Sequence, residues 1–253
     1  MALDIQKMKD KKAALESKSG NSDFWRPQDG TQTIRILPMD DGDPFKEFFF
    51  HYNVGTSGFL CPRKNFGDDC KVCDFGTSLF REGTEESIKQ AKNLFARQRF
   101  FSPVVVRGEE DSGVRVWGYG KGAYGDLLKL VTNPQYGDIT DTETGVDLDL
   151  DYGTPAGAKF PKTAIQAQRL SSKLNDNDEK AADWLGNMPE FNNLFERKTS
   201  SDVKVILDEF LSSDQNAEDS SSETTRGGAA DGASTASTEA TSVDNAFNEL
   251  LGS

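Results

Sequence analysis

The only histidine and all three cysteines of the chain fall within 23 consecutive positions, as His51, Cys61, Cys70 and Cys73. Their spacing is H-x9-C-x8-C-x2-C. Zinc takes four nitrogen or sulfur ligands in a tetrahedron, and three cysteines with one histidine are a closed set of that kind. Cys70-Lys71-Val72-Cys73 is a tight knuckle able to place two sulfurs on one ion, where Lys71 and the amides of a turn help stabilise thiolates. The loop between the cysteines carries Pro62, Gly67, Asp68 and Asp69, so it needs bracing from outside. Two blander readings compete: three structural cysteines with a lone surface histidine, or a C-x2-C redox pair. Four ligands gathered here, and none elsewhere, favour one structural Zn2+. A closed set leaves no position open for a catalytic water.

The charge is segregated. The 253 residues carry a net charge of −13, which taken alone argues against a polyanionic partner. Residues 1–20 carry +2, residues 21–137 carry −1, and residues 138–211 and 212–253 carry −7 each. Three segments are expected: a basic N-terminal arm (1–20), a folded core (21–211) and a tail (212–253). The tail is acidic, rich in Ser, Thr, Ala and Gly, and too poor in apolar residues to offset its ordering entropy, so it reads as disordered. Its tip differs, because Asp244, Phe247, Glu249, Leu250 and Leu251 form an acidic-apolar motif suited to docking a partner. The arm reads as a short helix with Lys7, Lys9, Lys11 and Lys12, either a frayed leader or a device that docks on something acidic. No run approaches the ~20 apolar residues of a membrane span, and the N-terminus has no apolar signal core. The expectation is a soluble, non-secreted chain without a membrane partner.

In the core, Thr33 to Pro38, Phe45 to Tyr52, Pro103 to Arg107 and Val114 to Tyr119 read as strands, the last two joined by a turn from Gly108 to Gly113. Val146, Leu148 and Leu150 alternate with Asp147, Asp149 and Asp151, an edge strand with one acidic face. Ser87 to Arg99, Asp183 to Phe195 and Asp202 to Leu211 read as helices, and Asp126 to Val131 as a short helix or strand. The class is α+β, built on a small sheet or barrel.

Three motifs mimic catalytic ones. Gly120 to Gly125 matches G-x-G-x-x-G, but no β/α alternation follows. Asp74-Phe75-Gly76 precedes the glycine loop and touches a metal ligand, unlike a kinase motif. Asp147, Asp149 and Asp151 start like a calcium loop, yet Tyr152 and Ala158 stand where Gly and Glu belong. No catalytic residue is assigned, and the chain is not expected to be an enzyme.

Residues 95–124 interleave aromatic and cationic side chains. The candidates for nucleic-acid contact are Arg35, Arg97, Arg99, Phe100, Arg107, Arg115, Trp117, Tyr119, Lys121 and Tyr124. Rings stack on bases and cations track phosphates, the combination that holds single strands. Arg115, Trp117 and Tyr119 share one strand face by alternation. Any one of Phe100, Phe101 and Trp117 could equally be core; the set as a whole is what points to nucleic acid.

The order of these features resembles the single-stranded DNA-binding (helix-destabilising) proteins of T-even-type bacteriophages. It runs basic arm, Ile34 to Pro38, His51-Cys61-Cys70-Cys73, the basic and aromatic strand pair, then an acidic tail ending in Leu250-Leu251. The resemblance implies an oligonucleotide-binding (OB-like) β-barrel with an inserted zinc subdomain, and DNA lying in the cleft between them. It also implies that Arg35 is a phosphate contact and that Trp117 replaces a DNA-facing tyrosine. The arm would bind the next copy along the strand, giving cooperative coverage. The tail would recruit replication and recombination proteins and compete with DNA. The setting would be the cytoplasm of an infected bacterial host during phage DNA replication, repair and recombination. The chain departs from the family near Arg169 to Asn175, where later aromatic contacts should fall and Leu170 and Leu174 stand instead. The alternative function is a zinc-stabilised protein-interaction adaptor of the replication or transcription machinery.

Overall fold

The computed structural model describes residues 24–55 and 57–219, with side chains through 212. The elements in chain order are β1 (Phe24–Trp25), β2 (Gly30–Ile36), β3 (Lys46–His51), β4 (Phe59–Leu60), α1 (Pro62–Phe66), α2 (Lys71–Glu82) and α3 (Glu85–Leu94). There follow β5 (Arg97–Val106), β6 (Arg115–Tyr119), α4 (Lys121–Val131), β7 (Val146–Gly153), β8 (Lys162–Ser171), α5 (Asp178–Gly186) and α6 (Ser200–Asp219). The α+β class holds. The described chain divides into two compact units: residues 24–46 with 100–190, and residues 47–99 with 191–219.

The first unit is built on a sheet in the order β1-β6-β5-β2-β7-β8. The β1–β6 pair is parallel; the other neighbours are antiparallel. One cluster buries Trp25, Ile34, Ile36, Phe100, Val104, Val106, Trp117, Leu148 and Leu150 with Leu127 of α4. A smaller cluster of Leu37, Val105, Leu174 and Trp184 of α5 forms apart from it. Ile34 and Val106 are cross-strand partners, as are Arg35 and Val105. Side chains of paired residues share a face, so Ile34 lies with the larger cluster while Arg35 lies with Val105.

That placement makes β2 and β7 polar where they are buried. Arg35 is fully buried, and its Nε donates to Asp147 Oδ1 at 2.8 Å. Its other nitrogens donate to the carbonyls of Asp141, Gly145 and Ser172 at 3.2, 3.3 and 2.8 Å. Arg107 holds both oxygens of the same carboxylate, at 2.9 and 3.0 Å, and donates to the Leu174 carbonyl. Gly145 is obligatory here: a Cβ would stand 2.2 Å from the Asp141 carbonyl and 2.7 Å from the Arg35 guanidinium. The strand expected at a sheet edge is thus interior. β7 pairs with β2 on one side and β8 on the other, and its first acid is consumed by two arginines.

The second unit packs α1, α2, α3 and α6 with the β3–β4 hairpin. Its core joins Val54, Phe59, Val72, Leu79, Ala91, Leu94, Val203 and Leu207 to the three cysteines. The helix read over Ser87 to Arg99 stops at Leu94: Phe95 turns to extended backbone (φ −62°, ψ 140°) and Arg97 already belongs to β5. The last helix continues to Asp219, past the boundary at 211 expected for the tail. No helix among the described residues is long and apolar enough to cross a membrane.

Candidate metal centre

His51 closes β3 and Cys61 follows β4, and the hairpin register pairs His51 with Phe59. Two residues of strand therefore bring a histidine and a cysteine ten positions apart side by side. Cys61 caps α1, its sulfur accepting from the Lys64 amide at 3.4 Å, with Pro62 opening the helix and Gly67 (φ 78°) closing it. Cys70 caps α2 and Cys73 sits in its first turn. All three sulfurs thus lie at helix N-termini, where unpaired amides and the helix dipole favour thiolate.

All four side chains are buried, and their ligand atoms lie within 4.8 Å of one another. Cys61 Sγ and Cys73 Sγ are 3.5 Å apart, and His51 Nε2 is 3.3 Å from Cys70 Sγ and 3.5 Å from Cys73 Sγ. A tetrahedral ion ~2.3 Å from sulfur and ~2.0 Å from nitrogen spaces its ligands roughly 3.5–3.8 Å apart. The cluster has the dimensions of such a site, and the sulfur separation is far beyond a disulfide bond. His51 Nδ1 meets the Leu94 carbonyl at 2.8 Å. That bond places the proton on Nδ1 and aims the lone pair of Nε2 at the sulfurs, the usual way an outer partner orients a metal-bound histidine.

The thiols interact strongly. Hydrogen bonds from Cys70 and then Cys73 hold Cys61 down at about 3, as a thiolate. The same contacts, led by that with Cys61, push Cys73 above its ordinary value. A dication held by the cluster would reverse that balance, because a coordinating thiol is deprotonated.

The polar loop finds its bracing. Asn65 bonds the amide and carbonyl of Phe49 at 2.9 and 2.7 Å, tying α1 to β3. Ser200 Oγ donates to the Asp69 carbonyl at 2.6 Å, and Arg197 pairs with Asp68 at 2.6 Å while its guanidinium lies over Phe66. Arg63 and Lys71 share Asp74. These supports were missed at the level of sequence. Pro62 and Gly67 did mark the ends of α1, but nothing local announces that residues 197–200 reach the loop.

The expected nucleic-acid contacts separate into two groups. Phe100, Trp117 and Tyr119 are 1, 1 and 3% exposed. Trp117 packs on Trp25 and Tyr119, and the Tyr119 hydroxyl pairs with Ser102 Oγ at 2.7 Å. They are core, so the expectation that they stack on bases is corrected: β6 belongs to a sheet buried on the side that alternation was to leave open. Arg35 is corrected as a phosphate contact, its guanidinium being sealed in the Asp147 network. Arg107 is paired with Asp147 and Arg115 with Glu109 at 2.7 Å. Lys121 is exposed, and Arg97, Arg99 and Tyr124 are half-buried. Tyr124 stacks on Phe100 at 3.7 Å between centroids. Lys7, Lys9, Lys11, Lys12, Asp244, Phe247, Glu249, Leu250 and Leu251 lie outside the described residues.

No protein-family model matches the chain, and a comparison with curated proteins finds no significant match.

Proposed function

We propose that this chain is a non-catalytic, sequence-tolerant single-stranded DNA-binding protein that coats exposed strands during phage replication, repair and recombination. The observation that carries the reading is a local reversal of charge. In a chain of net −13, residues 87–106 hold Lys89, Lys92, Arg97 and Arg99 and not one acid. Lys89 and Lys92 are exposed on α3, and Arg97 and Arg99 are half-buried at the start of β5. A cationic run of this kind tracks a phosphate backbone without reading sequence. The resemblance to the T-even-type proteins supports the rest. The metal is zinc, held by His51, Cys61, Cys70 and Cys73, and its role is to fold the second unit. The sheet of the first unit is an OB-type platform. The arm with Lys7 to Lys12 joins neighbouring copies, and the tail ending in Leu250-Leu251 recruits replication and recombination proteins. The protein acts in the infected bacterial cell.

The test is a salt titration of labelled oligo-dT binding, by wild type and by R97Q/R99Q. Each lost phosphate contact lowers the slope of log K against log salt by about 0.7. The double variant is expected to lose about 1.4 of slope on that scale. An unchanged slope would remove this run from the binding surface.

A further inference from the structure

Residues 138–211 carry a net −7, yet the stretch from 152 to 175 inside them holds Lys159, Lys162, Arg169 and Lys173 and no acid. The fold collects the first two at the tip of one hairpin. β7 and β8 pair from Val146↔Ser171 out to Gly153↔Lys162, and residues 154–161 close the turn. The tip is shaped by the chain itself. Gly157 takes a left-handed conformation (φ 80°) that a side chain would resist, and the Ala158 amide donates to the Pro155 carbonyl at 2.9 Å. Pro155 and Pro161 restrict the backbone further. On the strands below, Ile165 and Ala167 pack against the main core, so the tip stands on a fixed base.

At this tip Phe160 is 38% exposed. Lys159 Nζ lies 5.3 Å from the centroid of its ring. Among the described residues neither Lys159 nor Lys162 forms an ion pair with an acid. The pairing places Asp151 on the same outward face as Lys162, two rungs further from the tip, while Asp149 is engaged by Thr33 and Gln168. Beyond Asp151 the charged residues of the hairpin end, Lys159 and Lys162, are both cations, and its aromatic residues are Tyr152 and Phe160. An exposed ring costs free energy in water, and a ring with the Lys159 ammonium over it and Lys162 two positions on in the sequence is a poor docking point for an apolar peptide. It suits a ligand with a flat π-face and a negative charge on either side, the repeating chemistry of a single-stranded nucleic acid.

We infer that the β7–β8 hairpin tip is a single-strand contact, in which Phe160 stacks on one base and Lys159 and Lys162 meet the flanking phosphates. The inference rests on the single-strand reading above and adds to it a site that the buried Trp117 and Tyr119 cannot supply. The experiment compares wild type, F160A, F160W and K159Q/K162Q in anisotropy titrations with labelled oligo-dT and oligo-U at fixed salt. Each variant's melting temperature is read alongside. Stacking contacts removed by alanine weaken single-strand binding on the order of 10-fold, and that loss is expected for F160A at an unchanged melting temperature. The double lysine variant is expected to lose about 1.4 of salt slope. Trp25, Trp117 and Trp184 are buried, so F160W supplies the one exposed indole among the described residues, and its emission is expected to be quenched by either oligonucleotide. If wild type binds and F160A binds equally well, with F160W unquenched, the hairpin contact is refuted and the single-strand reading stands. Affinity lost only together with melting temperature makes Phe160 structural and also refutes the contact. If wild type binds neither oligonucleotide, both readings fall.

Discussion

Replacing Arg35 by methionine separates a structural arginine from a phosphate-binding one. Methionine keeps most of the buried volume but none of the donors. The carboxylate of Asp147 is not orphaned, because Arg107 still donates to both of its oxygens. What is lost is one charged bond to Asp147, the bonds to three carbonyls, those of Asp141, Gly145 and Ser172, and the bond to the Ser172 hydroxyl. The Asp141 carbonyl keeps the Gly145 amide and the Gly145 carbonyl keeps the Ser172 amide, both at 2.9 Å, so the Ser172 carbonyl is the one that loses its donor. At about 1–3 kcal/mol for that group and about 1.5–3 kcal/mol for the charged bond, the cost is on the order of 3–5 kcal/mol. Burial also lowers the guanidinium pKa against the upward pull of Asp147, so part of the arginine's own desolvation cost is relieved. That places the expectation nearer about 3 kcal/mol. With a urea m-value of roughly 2 kcal/mol/M, the midpoint of the first unit should fall by about 1.5 M. Oligo-dT affinity, measured well below that midpoint, should be unchanged. The opposite pattern would refute the reasoning: a stability change under about 0.5 kcal/mol with weakened, less salt-dependent binding would mean that Arg35 reaches solvent and meets phosphate.

Removing the metal with a strong chelator should unfold the second unit selectively, since its core is built around the three cysteines; readdition of zinc should restore it with release of protons, Cys73 among them, measurable in weakly buffered solution. An unchanged melting curve after verified metal removal would contradict the site. Burial raises the phenol of Tyr119 far above the ordinary value, with the Ser102 bond acting the other way, so the fold favours the neutral ring. That stabilisation is fully present below pH ~10 and is lost as pH rises above it, by about 1.4 kcal/mol per pH unit. Y119F should lower stability at pH 7 by about 1 kcal/mol through the missing hydrogen bond and flatten the alkaline decline, as followed by urea midpoints from pH 8 to 11.

The buried cluster of His51, Cys61, Cys70 and Cys73 was legible because its chemistry is local: four residues of metal-ligand type at set spacing, with a knuckle that needs one helix turn. Strands β2, β3 and β6 were legible from their apolar runs. β8 was not, because Thr163, Ala164, Ile165, Gln166, Ala167 and Gln168 alternate only weakly, hold no aromatic residue, and have only Thr163 and Ile165 as β-branched residues. The helix over Ser87 to Arg99 was overextended because Arg97 to Phe100 suit either state, and pairing of Phe100 with Tyr119 decides for strand. Arg35 was misjudged for a different reason. It lies on the face opposite Ile34 and Ile36, and that face is covered by residues more than a hundred positions away, at Asp147 and Ser172. Trp117 and Tyr119 erred the same way. A period-two pattern tells which side chains share a face, not whether another layer covers it. The hairpin tip at Phe160 escaped notice because a net charge of −7 averaged over 138–211 concealed an acid-free run within it.

The most direct test of the central claim is the affinity of the full-length protein for a labelled single strand and for the matching duplex, measured over a range of salt. The account predicts tight, steeply salt-dependent binding to oligo-dT and to mixed-sequence single strands alike, with the duplex bound at least 10-fold more weakly. Equal binding to both forms, or no binding to the single strand at low salt, would contradict it.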